Sequence, residues 1–191
     1  MTRRIGKDWV DAYFSYGIDV VNRRVFLLDD IDEAAIGYAI QGIYLMESES
    51  PTETIELFIG SFGGSEYEMF ALYDVMNSIK CPVSTCALGK CMSAAPLLVA
   101  AGAKGERYAT PNTWFMVHQS WDEDMGGRVD EVDRTLKHMK AMETTWYETM
   151  AKHTTKPVSF WKRLCGNVGD SYFNAEKAID YGIIDQIWSE K

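Results

Sequence analysis

Apolar and polar positions along the chain alternate between two periodicities, and the switches between them mark its elements. From Asp32 to Glu47 the apolar positions Ala35, Ile36, Ala39, Ile40, Ile43 and Tyr44 recur at helical spacing, and Pro51 closes the segment. Met69, Tyr73 and Met76 mark a second helix over Glu66 to Ile79, and Ser93 to Ala101 reads as a small-residue helix. Val129, Val132, Leu136, Met139, Met142, Trp146 and Met150 predict one long amphipathic helix over Asp130 to Lys152. Between them lie strand candidates: Val20-Val21 and Val25 to Leu28 around Asn22-Arg23-Arg24, Thr54 to Ile59, Val83 to Ala87 closed by Gly89, Tyr108, and Thr113 to His118. Thr54 to Ile59 is too apolar to alternate, as expected of a strand covered on both faces. Repeated strand–helix alternation predicts an α/β fold with short parallel strands. With no linker or low-complexity tract in 191 residues, one domain is expected.

Composition adds a second expectation. The 47% apolar and 25% charged content is that of a folded globular chain. However, 8 Phe, 6 Trp, 10 Tyr and 10 Met exceed the need of one small core, which suggests an interface as well. Lys and Arg number 19 against 28 Asp and Glu, a net charge of −9 with no dense basic run, so nucleic acid is not an expected partner. The basic N-terminus is followed by no apolar stretch, which argues against a secretory signal. The longest apolar run, Ala94 to Ala103, is about half of what a membrane span requires, so no membrane partner is expected. Cys81, Cys86, Cys91 and Cys165 form no C-x-x-C pair, which predicts reduced thiols in a cytoplasmic protein and no bound metal.

Two glycine-containing turns follow strands and open helices. Gly60 to Ser65 matches neither phosphate-loop pattern; it is either a plain turn or a place where a backbone N–H meets a developing oxyanion. Gly89 to Pro96 sets Ser93 between a strand and the first helical turn, where a serine either caps the helix or presents a reactive hydroxyl. Only three histidines are available as its base. His138 lies within the long helix and is expected to be solvated, and His153 lies at that helix's C-terminus, where a cation suits the dipole. His118 ends an apolar strand, as a base or as a hydrogen-bonded structural residue. Spacing alone selects no carboxylate partner from the 28 acids.

Five stretches in order resemble the proteolytic subunit of Clp proteases: Ile59 to Gly64, Gly89 to Ser93, Ala101 to Gly105, Met116-Val117-His118-Gln119, and Ala178 to Asp185. The resemblance runs from about Tyr13 onward. It implies a crotonase-like α/β fold of repeated β-β-α units, with a protruding strand–helix handle at about residues 121–152. Residues 1–12 stand where the family has an N-terminal gate segment without matching it, and residues 1–191 are expected to form one serine peptidase domain. By the same resemblance Ser93 is the nucleophile, His118 the base and Asp170 the orienting aspartate, with the backbone N–H groups of Gly64 and Ala94 as the oxyanion hole.

Two stacked heptameric rings, a hexameric ATPase unfoldase as partner and polypeptide substrates are implied as well, with no cofactor on this chain. Gly126 and Gly127 precede the long helix, either to receive an extended substrate as an added strand or to turn the chain into that helix. Phe62 stands where the family commonly has proline, Ala94-Ala95-Pro96 follow the serine where methionine is usual, and Ser120-Trp121 follow His-Gln in place of proline. Two rival readings are a catalytically silent ring subunit and a crotonase-like enzyme acting on a thioester.

Overall fold

A computed structural model describes residues 7–121, 126–166 and 169–188. In chain order these form α1 (Lys7–Tyr16), β1 (Ile18–Asp19), β2 (Arg24–Leu27), α2 (Glu33–Glu49), β3 (Ile55–Ser61), α3 (Glu66–Ser78), β4 (Val83–Met92) and α4 (Ala95–Ala100). There follow β5 (Arg107–Ala109), β6 (Trp114–Val117), α5 (Val129–His153), α6 (Val158–Cys165), β7 (Ser171–Asn174), α7 (Ala175–Tyr181) and β8 (Gln186–Ile187). The α/β expectation is borne out. Two of the sequence signals act through caps: the Asp32 side chain accepts from the Ala35 N–H at the start of α2, and Ser65 does the same for Glu68 in α3. Behind these caps, Ile36, Ala39, Ile43 and Met46 of α2 and Met69, Leu72, Tyr73 and Met76 of α3 turn inward. They share one core with β3, whose Ile55, Leu57, Phe58 and Ile59 are all buried, in keeping with its unalternating sequence.

The strands lie in the order β1-β2-β3-β4-β5-β8, parallel from β2 onward, with β6 and β7 branching from β4. That branch builds the site. β4 pairs with β5 over Thr85 to Ala87, then with β6 over Lys90 to Met92. The expectation that this strand ends at Ala87 is therefore corrected. Gly89 bends the strand without breaking it, at φ +66, with its N–H donated to Thr113 Oγ1 at 3.0 Å. Gly60 and Ser61 likewise belong to β3 instead of the turn, across a register shift between Ile59 and Ser61. Val20-Val21 is a turn and not a strand. Asp19 accepts from both the backbone and the side chain of Asn22, and this local pairing overrides the strand preference of the valines.

α5 is amphipathic in an unusual sense: only its last turns are buried, through Trp146, Tyr147, Thr149 and Met150, while Val129 is 88% exposed. Trp146 meets Trp161 of α6 edge to face at 6.0 Å. Arg107, buried on β5, ties the C-terminal ends of three helices together. Its Nη1 donates to the carbonyls of Ala100, His153 and Gly182, while Nε and Nη2 grip Asp185. Among the described residues no helix is long and apolar enough to cross a membrane.

Candidate active site

The continuation of β4 past Gly89 delivers Ser93 to the end of β6. The Ser93 N–H donates to the Met116 carbonyl at 2.8 Å, which pins the turn beside the neighbouring strand. His118 lies two residues beyond Met116, and its Nε2 is 2.8 Å from Ser93 Oγ. Sequence left Ser93 open as a helix cap; the cap position is occupied by Ala94, and Ser93 stands one residue before it. The Ser93 backbone is left-handed at φ +58, a strained conformation for a residue with a side chain. It holds the hydroxyl clear of α4 and half open to solvent.

Gly63 and Gly64 close over this turn, and each has to be glycine. A Cβ on Gly63 would lie 2.5 Å from Ser93 Cβ, and one on Gly64 (φ +145) 2.4 Å from the Ile31 carbonyl oxygen. Bonds from Ile31 N–H to Gly63 O at 2.7 Å and from Ser65 N–H to Ile31 O at 2.8 Å fix the loop. The intervening Gly64 N–H and the Ala94 N–H donate to no described residue. Two unsatisfied donors beside a serine hydroxyl are the raw material of an oxyanion site.

Asp170 is placed differently from its two expected partners. β7 pairs antiparallel with β6 up to Val117↔Ser171, so Asp170 sits one step beyond the ladder, opposite His118. Its Oδ2 accepts the Tyr172 hydroxyl at 2.9 Å, and no bond from the His118 ring to it is made. That contact raises the Tyr172 phenol above its ordinary value. Gly126 and Gly127 lie outside any strand and ahead of α5; Gly127 has φ +125, next to the Arg128–Glu131 capping box. Residues 122–125 of the expected handle and residues 1–6 of the expected gate lie outside the described residues.

The other histidines depart from expectation. His138 is not merely solvated: its Nε2 is 2.6 Å from the Tyr67 hydroxyl, and the rings stack at 5.9 Å. His153 is no cation at the helix end. Burial first, then Lys152, Arg107 and Lys104, lower its value to about 4, and its Nε2 meets the Tyr73 hydroxyl at 3.0 Å. Cys91, two residues before Ser93, is buried, and burial holds its thiol well above the ordinary range, so it is poorly suited to act as a nucleophile.

A cleft of about 450 Å³ opens in front of Ser93 and His118. Sequence reasoning missed several of its residues, among them Glu66, Tyr67 and Glu143, because nothing in their spacing links them to Ser93. Ser120 was visible only as the residue standing where proline is usual. Among the described residues no group of three or more His, Cys, Asp or Glu is arranged to hold a metal ion.

A serine hydroxyl bonded to a histidine under two free N–H groups, on a sheet strand that switches partners, defines the class: a serine-type hydrolase. Comparison with known proteins narrows it. The Clp protease family model matches residues 9–191. "ATP-dependent Clp protease proteolytic subunit 2" of Streptomyces coelicolor is 34% identical over 178 residues, covering 93% of this chain and 81% of that protein. "ATP-dependent Clp protease proteolytic subunit 1" of Bifidobacterium longum is 34% identical, covering 87% of this chain and 70% of its own. Subunit 4 of the same description from Streptomyces avermitilis is 32% identical over 95% of this chain and 80% of its own. The chain belongs to the Clp protease family and is a serine peptidase.

Proposed function

We propose that Ser93 attacks the peptide carbonyl and that His118 serves as its general base. The observation that carries this is the 2.8 Å contact between Ser93 Oγ and His118 Nε2 under the two free N–H groups. His118 takes the hydroxyl proton as the C–O bond forms; the tetrahedral oxyanion accepts from the Gly64 and Ala94 N–H groups. Each such donor contributes about 3–4 kcal/mol to the transition state. His118 then gives the proton to the leaving amine. A water, deprotonated by the same ring, hydrolyses the resulting ester.

Asp170 turns from Tyr172 to accept the His118 Nδ1–H, fixing the tautomer and stabilising the imidazolium. The ladder register supports that reach. Gly126 and Gly127, exposed at the start of α5, would border an extended substrate. The Ser–His contact weighs against a catalytically silent subunit.

The chain works as a homo-oligomer of two stacked heptameric rings that encloses polypeptide substrates. A hexameric ATPase feeds it, in line with the ATP-dependent names of its relatives. Four unpaired thiols support a reducing, cytoplasmic setting. Residues 1–191 serve as one peptidase domain, with residues 1–12 at the gate and about 121–152 as the handle. Ser93→Ala is expected to lower peptide hydrolysis by at least about 10⁴-fold. Hydrolysis retained within tenfold would remove Ser93 from the mechanism.

A further inference from the structure

Among its described lining residues, the cleft in front of Ser93 carries the carboxylates of Glu66 and Glu143 and no lysine or arginine to balance them. Ser120 holds both carboxylates: its hydroxyl donates to Glu66 Oε1, and its backbone N–H donates to Glu143 Oε1 at 3.3 Å. Glu66 is also the first residue of α3, where the helix dipole favours negative charge. The second oxygen of Glu66 accepts no bond from a described residue, and Glu143 has the Tyr147 hydroxyl beside it.

A buried hydroxyl lies beside the same carboxylates. Tyr147 lines the cleft and is 3% exposed, and its buried hydroxyl sits against Glu143 without a hydrogen bond of full geometry to any described residue. Burial, with Glu143 close by, pushes that phenol far above the ordinary tyrosine range, so it stays a neutral group able to donate or accept. Trp121, Met139, Met142 and Trp146 supply apolar walls. Apolar walls around two anchored carboxylates suit a side chain with a hydrocarbon stem and a cationic head. A leucine or phenylalanine would desolvate the carboxylates without giving them a donor, and an acidic residue would meet like charge.

We propose that Glu66 and Glu143 form a specificity subsite for a lysine or arginine side chain flanking the scissile bond. The proposal rests on Ser93 as nucleophile and adds the class of residue that the peptidase selects. It is tested on the assembled full-length protein with a defined peptide mixture. Cleavage sites are mapped by mass spectrometry, and fluorophosphonate labelling is run alongside.

Lysine and arginine are expected to be enriched at least about fivefold at one of the two positions flanking the cut. Glu143→Gln and, separately, Glu66→Gln are each expected to lower the ratio of kcat/KM for lysine- or arginine-containing peptides to that for leucine peptides by about tenfold. Added salt should lower the same ratio. A protein that labels and cleaves but shows no basic enrichment overturns this proposal alone. So does an unchanged ratio in both variants. A protein that neither labels nor cleaves overturns the Ser93 reading together with it.

Discussion

At the scale of single residues, Asp170 stands opposite His118, one step beyond the β6–β7 ladder, yet its Oδ2 accepts the Tyr172 hydroxyl. Tyr172 is 56% exposed, so this competing bond is weak, and removing it frees the carboxylate for the imidazole. Tyr172→Phe is therefore expected to raise kcat by about two- to fivefold, whereas Asp170→Asn lowers it by up to about 10⁴-fold. Steady-state kinetics on a short peptide separates the two; a fall in both variants would assign Tyr172 a supporting role instead.

His153 carries a different consequence. Its value is lowered from 6.5 to about 4, so unfolding takes up a proton between those limits. Stability is full above 6.5 and falls as pH drops towards 4. The thermal midpoint of the wild type should fall between pH 7 and pH 5 by roughly 4–7 °C more than that of His153→Gln; parallel curves would contradict a neutral, buried ring. Histidines are few, which narrowed the choice of base, but a serine opening a helix is ordinarily a cap, so Ser93 and His118 were singled out by the resemblance of their flanking stretches. Spacing alone reached neither Asp170, which only the resemblance supplied, nor Glu66 and Glu143, since a carboxylate acquires its role from the strand or helix that tertiary pairing brings beside it.

At the scale of elements, α5 is the one whose sequence pattern exceeds its packing. Val129, Val132 and Leu136 continue the apolar stripe beyond the buried turns at Trp146 to Met150, and Leu136 remains 38% exposed. A stripe left uncovered among the described residues is what a contact between rings would bury. Leu136→Asp is expected to convert paired rings to single rings in native mass spectrometry, with its thermal midpoint within a few degrees of wild type. Unchanged assembly would place the contact elsewhere.

The stripe itself, like the helices under Asp32 and Ser65, was readable because caps and periodicity agree locally. The length of β4 was not. Gly89 and a short strand mimic an ending, and only the switch of partners from β5 to β6 keeps the strand going. The Val20-Val21 turn was hidden for a similar reason, since Asp19 and Asn22 settle it against strand propensity.

At the scale of the whole molecule, the abundance of aromatic residues and methionine divides into two uses. Met46, Met69, Met150 and Trp161 fill the core, but Phe14, Tyr44, Leu45, Trp114 and Trp121 remain exposed. Such a surface fits a subunit that buries area a second time against copies of itself. Light scattering at micromolar concentration should give a mass many times 21.6 kDa; a monomer would contradict the chamber. After treatment with a fluorophosphonate, peptide mapping by mass spectrometry should find the phosphonyl group on Ser93 alone, with none on Ser93→Ala and little on His118→Ala. Modification of another residue, or equal labelling of Ser93→Ala, would contradict the account.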